Sequence, residues 1–174
     1  AMAIVSDPAA LAAYSDKARK KFVEAIEKQP KQAAHAWYNI GLIDLRRGDA
    51  GAAEKAWKKT LSIDAKYFPA QARLAELEIR AGKRAAAVAR LESLINTERF
   101  QPEARNILAQ IALEKKDYQT AIKHARNVLL GDPDNINAYL NLAIAYFDQG
   151  LIDQAGLIAS NALDRNPKAA ALHN

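Results

Sequence analysis

Apolar and small residues recur three or four apart along most of this chain, in runs separated by short polar turns. Between residues 34 and 66, Ala36, Ile40 and Ile43 form one run, and Ala53, Ala56, Trp57 and Leu61 form the next. This spacing predicts two helices, each with one face turned to a core. Gly48-Asp49 separates them. Glycine can take the left-handed conformation that ends a helix, and Asp49 can cap the next helix by accepting a backbone N–H bond. The stretch reads as a helical hairpin.

A shift of 34 residues overlays this hairpin on later chain without insertion. Ala36 recurs as Ala70, Ala104 and Ala138, and Ile40 as Leu74, Leu108 and Leu142. Gly41 becomes Ala75, Ala109 and Ala143; Ala53 becomes Ala87, Ala121 and Ala155; Leu61 becomes Ile95, Leu129 and Leu163. Large residues persist at some positions and only Gly or Ala at others, so the pattern specifies knobs and the close approaches beside them. With Trp37, Ile40, Gly41, Ala53, Trp57 and Leu61 in the first copy, and Tyr139, Leu142, Ala143, Tyr146, Gly150, Ala155, Ala162 and Pro167 in the last, the chain resembles the tetratricopeptide repeat. The third copy keeps Leu108, Ala109, Tyr118, Ala121 and Pro133; the second, with Leu74, Ala75, Gly82, Ala87 and Leu91, departs furthest. The first copy has Asp44 where an aromatic is usual and Ala65 where the closing proline is expected.

The resemblance implies an all-α fold, a right-handed superhelical solenoid of helix-turn-helix hairpins in which each buries its face against its neighbours. The repeats are expected at 34–67, 68–101, 102–135 and 136–169. Before them, residues 1–33 read as a cloning remnant (Ala1–Ala3) and a helical segment from Asp7-Pro8 to about Lys28. Ala18, Phe22, Ala25 and Pro30 there match the second-helix half of the repeat; whether Tyr14-Ser15-Asp16 divides that segment stays open. Residues 170–174 read as the start of a truncated further helix, which leaves Ala155, Ile158, Ala159, Ala162 and Leu163 as an apolar face for self-association through the C-terminal repeat.

The chain has 174 residues, a net charge of +5 and no cysteine, so thiol catalysis and disulfides are excluded. The surplus of base lies before residue 102, with clusters at Lys17, Arg19, Lys20 and Lys21 and at Lys55, Lys58 and Lys59. Glu24, Glu27 and Glu54 are interspersed and aromatics are not interleaved, so these read as solvated helix faces and no nucleic-acid partner is favoured. No run has the length of a membrane span, and direct membrane insertion of this segment is not expected. His35, His124 and His173 sit at different repeat positions without a metal-ligand set, and no phosphate loop or acid/base pair stands out. No catalytic residue, cofactor or metal is expected.

What remains is surface. In the family, the first helices line a concave side where partners usually lie. The resemblance therefore implies a groove at Tyr38, Asn39, Leu42 and Arg46 in the first copy and Arg73, Glu76 and Arg80 in the second. Asn106 and Gln110 follow in the third copy, and Asn137, Leu140, Asn141, Ile144 and Asp148 in the fourth. Amides suit an extended peptide backbone and apolar groups receive its side chains. Tyr38 is the strongest single candidate, because an aromatic hydroxyl offers area and a hydrogen bond together. The Lys and Asn set with which some relatives grip a terminal carboxylate is missing. The expected function is a non-catalytic scaffold or adaptor for a protein or peptide ligand. A loose similarity of Ala125–Asn174 to envelope lipoproteins suggests a bacterial envelope, motility or pilus-type assembly factor, with periplasm favoured over cytoplasm. The alternative is a substrate-binding or regulatory arm of a larger enzyme.

Overall fold

Proline, glycine and aspartate set the helix boundaries. The computed structural model describes residues 8–97 and 100–165. Its helices are α1 (Pro8–Lys28), α2 (Ala33–Arg46), α3 (Ala50–Ile63), α4 (Phe68–Arg80), α5 (Arg84–Thr97), α6 (Pro102–Glu114), α7 (Tyr118–Gly131), α8 (Ile136–Asp148) and α9 (Ile152–Arg165), with a 3-10 turn at Pro30–Gln32. No strand occurs among the described residues. The architecture belongs to the all-α helical-repeat solenoid class. Tyr14-Ser15-Asp16 does not interrupt α1. The Asp7 cap, Pro167 and the 170–174 segment lie outside the described residues.

The turns within the hairpins are built alike. Gly48, Gly82 and Gly150 have φ of +84°, +73° and +76°, the left-handed conformation that glycine reaches without a Cβ clash. The third turn places Lys116 there, with φ of +59°. In each, the next residue's N–H returns to a carbonyl of the last helical turn: Asp49 to Asp44, Lys83 to Glu78, Asp117 to Ala112 and Leu151 to Tyr146, at 2.8–3.0 Å. That bond satisfies a carbonyl that the helix end would otherwise leave open. Asp49 and Asp117 then cap α3 and α7, accepting from Ala52 N at 2.7 Å and Thr120 N at 3.1 Å. Asn135 does the same for α8, from Ala138 N at 3.0 Å.

Two compact units divide the chain, residues 1–87 and 88–174, with the division inside α5. In the first, α2 packs on α3, with α1 against α2 and α3 against α4. Its core joins Ala53, Trp57, Ala70 and Leu74, flanked by Tyr38, Leu42, Leu45, Leu61, Tyr67 and Leu77. In the second, α6 pairs with α7, α7 with α8, α8 with α9, and α6 also touches α8. Ala112, Ala121, Ile122, Ala125, Leu142 and Ala145 form its core. The repeated alanines Ala53, Ala87, Ala121 and Ala155 are all buried, as the pattern of small positions requires.

The first hairpin has its own version of this packing. Trp57 is fully buried and lies over Gly41, donating Nε1–H to the Tyr38 carbonyl at 3.1 Å. A Cβ on Gly41 would stand 2.6 Å from the indole Cδ1 and 2.7 Å from Cε2. The later copies have Ala at the glycine position and Leu91, Ala125 or Ala159 at the tryptophan position, so the largest residue meets the smallest only here.

Candidate functional site

In the second unit, the facing sides of α6 and α8 enclose a cleft of about 360 Å³. Five of the expected groove residues meet in its wall: Gln110, Asn137, Leu140, Asn141 and Ile144. Leu113 and Glu114 complete it. Leu140 and Ile144 are 52% and 45% exposed despite their apolar side chains, so each keeps area to give to a ligand. They sit four apart on α8, one turn of the same face.

An amide network fixes the floor. Asn106 donates Nδ2–H to Asn135 Oδ1 at 3.0 Å, and Asn135 donates to Asp132 Oδ2 at 2.9 Å. Asn141 donates Nδ2–H to the Asn106 carbonyl at 3.3 Å and reaches Asn106 Oδ1 at 3.4 Å. Asn106 and Asn141 are buried, the latter at 2% exposure. The expectation that they stand open toward a ligand is corrected accordingly. Asn106 ties α6 to the start of α8 and does not line the cleft. Asn141 lies at the wall of the cleft with its side chain buried and its Nδ2 on Asn106. Asp148 is exposed and outside this cleft.

The first unit treats its candidates differently. Tyr38 is half-buried against the Trp57 core, and its ring lies 5.2 Å from that of Tyr67. Its hydroxyl is bonded to Arg73, which also holds Glu76 at 2.9 Å. Burial works to lower the Arg73 pKa, and the bonds to Tyr38 and Glu76 outweigh it, so it stands above the usual guanidinium value. Leu42 packs on the same core. Asn39 donates to the His35 carbonyl at 2.9 Å, within its own helix. Tyr38, Leu42, Arg73 and Glu76 therefore support one another, while Arg46 and Arg80 are exposed. Tyr38 shares its hydroxyl with Arg73 of α4.

Sequence reasoning missed Tyr67, which bonds His35 Nδ1 through its hydroxyl at 2.8 Å. Burial raises its phenol pKa, with Tyr38 and Asp64 adding to the shift. Leu113 was missed as well; its three-residue spacing from Gln110 was the available signal. No cluster of three metal-ligating side chains occurs among the described residues, and none of their helices is long and apolar enough to cross a membrane.

Tetratricopeptide repeat profiles match residues 44–111 and 112–174, and a second profile of that description matches residues 8–66. The chain belongs to the tetratricopeptide repeat family. The fold of such repeats is that of a protein-interaction scaffold. A crystal structure of MamA, similar to this repeat chain at 21% identity, is covered over 91% of its length by 90% of the chain with a TM-score of 0.67. YrrB, described as a TPR protein with an unusual peptide-binding site, is 19% identical over 93% of this chain and 84% of its own, with a TM-score of 0.61. These likenesses show the fold. Among curated proteins, the human protein O-mannosyl-transferase TMTC3 is 27% identical over 137 residues, 76% of this chain. The tetratricopeptide chain spans 14% of that relative's length.

Proposed function

We propose that this tetratricopeptide repeat chain is a non-catalytic scaffold that binds an extended peptide segment of a partner protein, and that the cleft between α6 and α8 is where it grips. The observation that carries this is the convergence of Gln110, Asn137, Leu140, Asn141 and Ile144 around one cavity with two exposed apolar side chains at its centre. Because Asn141 is buried against Asn106, the exposed amides of Gln110 and Asn137 meet the ligand's backbone, and Leu140 and Ile144 receive an aliphatic side chain. A displayed library of short extended peptides tests this. Selected binders should lose about tenfold or more of their affinity with Leu140→Asp, since truncation or charging of a central anchor costs about 1 kcal/mol or more. Exposed Lys55→Glu should change little. If the Lys55 change removes binding and Leu140→Asp leaves it intact, the groove reading fails and the basic outer surface replaces it.

The wider role we propose is an assembly factor of a bacterial envelope, motility or pilus-type machine, which rests on the loose similarity of the last repeat and following residues to envelope lipoproteins. A second reading has its own support: the match to a segment of TMTC3 favours a substrate-binding or regulatory arm of a larger enzyme. The natural full-length sequence separates the two. A lipoprotein signal ahead of α1 favours assembly, and a large non-repeat domain favours the enzyme arm.

A further inference from the structure

Position 44 is where the first hairpin leaves the repeat pattern. At the corresponding place in α8, Tyr146 packs its ring against the core of the second unit and receives Arg126 Nη2–H from α7 on its hydroxyl at 2.6 Å. Asp44 receives an arginine in the same manner, Arg19 Nε–H from α1 on Oδ1 at 3.0 Å. A carboxylate is far shorter than a phenol, so the volume that a ring would take stays open. Beside it lies a cleft of about 650 Å³ between α1 and the α2–α3 turn, walled by Asp16, Arg19, Lys20, Asp44, Arg47 and Asp49.

The groups in that wall are unequally satisfied. Asp44 has a side-chain exposure of 7%, and its second oxygen, Oδ2, is buried without a partner among the described residues. A buried carboxylate oxygen without a donor is costly, so this atom demands one. Arg47 is paired with Asp16, and Asp49 spends one oxygen on the α3 cap. Arg19 uses only Nε, leaving its two terminal amino groups, and Lys20 is exposed with no partner among the described residues. The cleft thus holds an acceptor in need of a donor beside cations in need of an acceptor. Its three aspartates balance its two arginines and one lysine. A simple cation meets Arg19, Lys20 and Arg47; a simple anion meets Asp44. A molecule carrying ammonium and carboxylate on one carbon satisfies both.

We propose that this cleft binds a small zwitterion of the amino-acid class, its ammonium on the Asp44 carboxylate and its carboxylate on Arg19 and Lys20. The site is independent of the peptide groove, lying in the other unit of the chain.

Calorimetric titration of the whole chain with each common amino acid tests the proposal, with amide chemical shifts reporting the location. At least one should bind saturably at millimolar concentration or below and move the signals of residues around Asp44 and Lys20. Its N-acetyl and carboxamide analogues should each bind about tenfold or more weakly, as expected when one charge-assisted hydrogen bond is lost. Asp44→Asn keeps the shape of the side chain and should weaken binding comparably. Asp44→Tyr removes the carboxylate altogether and should abolish it. Lys20→Gln alters only an exposed group, so a loss there cannot be charged to misfolding. The proposal is overturned if no amino acid binds at tens of millimolar, which would leave Oδ2 to an ordered water alone. It is equally overturned if a simple amine or carboxylate binds as well as the zwitterion, or if binding survives both Asp44→Asn and Lys20→Gln.

Discussion

Adding one methyl group at Gly41 isolates the packing logic of the first hairpin. Alanine is ordinarily the better helix former, by about 0.5–1 kcal/mol. Here the new Cβ stands 2.6 Å from Trp57 Cδ1, so the indole must move, and it has nowhere to go within a fully buried site. Overpacking of this kind costs about 1–3 kcal/mol. Displacing the indole also stretches its bond to the Tyr38 carbonyl, worth about 0.5–1.5 kcal/mol. Set against the propensity gain, Gly41→Ala should destabilise by about 1–3 kcal/mol. The sign should reverse once the tryptophan is gone. In a Trp57→Leu background, which copies the Ala75/Leu91 pairing of the second repeat, the same change should stabilise by about 0.5–1 kcal/mol. Urea unfolding followed by far-UV circular dichroism, run as a double-mutant cycle, measures both values. A neutral or stabilising Gly41→Ala in the native background would refute the contact, and equal effects in the two backgrounds would refute the coupling.

Three further outcomes can be checked in the same way. Lys116→Gly should stabilise by about 1 kcal/mol, because a lysine at φ of +59° carries left-handed strain that the glycines of the other turns avoid; thermal or urea midpoints decide it. Ala121→Leu should destabilise by about 1–3 kcal/mol through overpacking in the core of the second unit, and a neutral result would place Ala121 off that interface. His124 has its pKa lowered below 6.5 by burial, with Arg105 and Lys123 adding to the shift and Asp117 opposing it. The unfolded imidazole therefore takes up a proton first, so the stability tied to this group is complete above 6.5 and declines as pH falls through that value toward the folded pKa. Stability measured from neutral to mildly acidic pH should lose this slope in His124→Gln, and an unchanged slope would assign it elsewhere.

The hairpins were legible because their determinants are local. Gly48 and Asp49 stop one helix and cap the next using atoms within a few residues, and a period in small residues reports close helix approach whatever the distance in sequence. The parts that stayed hidden depend on long side chains choosing between partners. Tyr38 occupies a groove position by repeat count, yet Arg73, 35 residues later, takes its hydroxyl. Asn106 and Asn141, likewise 35 apart, satisfy each other and sink from view. Lys116 was unreadable for another reason: the backbone bonds that close its turn, such as Asp117 N–H to the Ala112 carbonyl, impose their conformation on a residue that would not choose it. Asp44 could be seen as an exception to the repeat, but only the positions of α1 and Arg19 show what the exception leaves open.

A chain assembled from similar hairpins faces a hazard that a chain of dissimilar parts does not. During folding, α2 meets several helices that offer it nearly the same alanine ridges, and pairing with the wrong copy leads to swapped or tangled products. The Gly41–Trp57 contact acts as a key against this error. Against Ala75, Ala109 or Ala143 the indole would meet a methyl group where Gly41 has none, and against Leu91, Ala125 or Ala159 the glycine would face a smaller side chain than the indole. Only α3 closes cleanly on α2. One oversized side chain, matched to one missing methyl, thereby makes neighbours in sequence into neighbours in space and gives the array a fixed place from which to count.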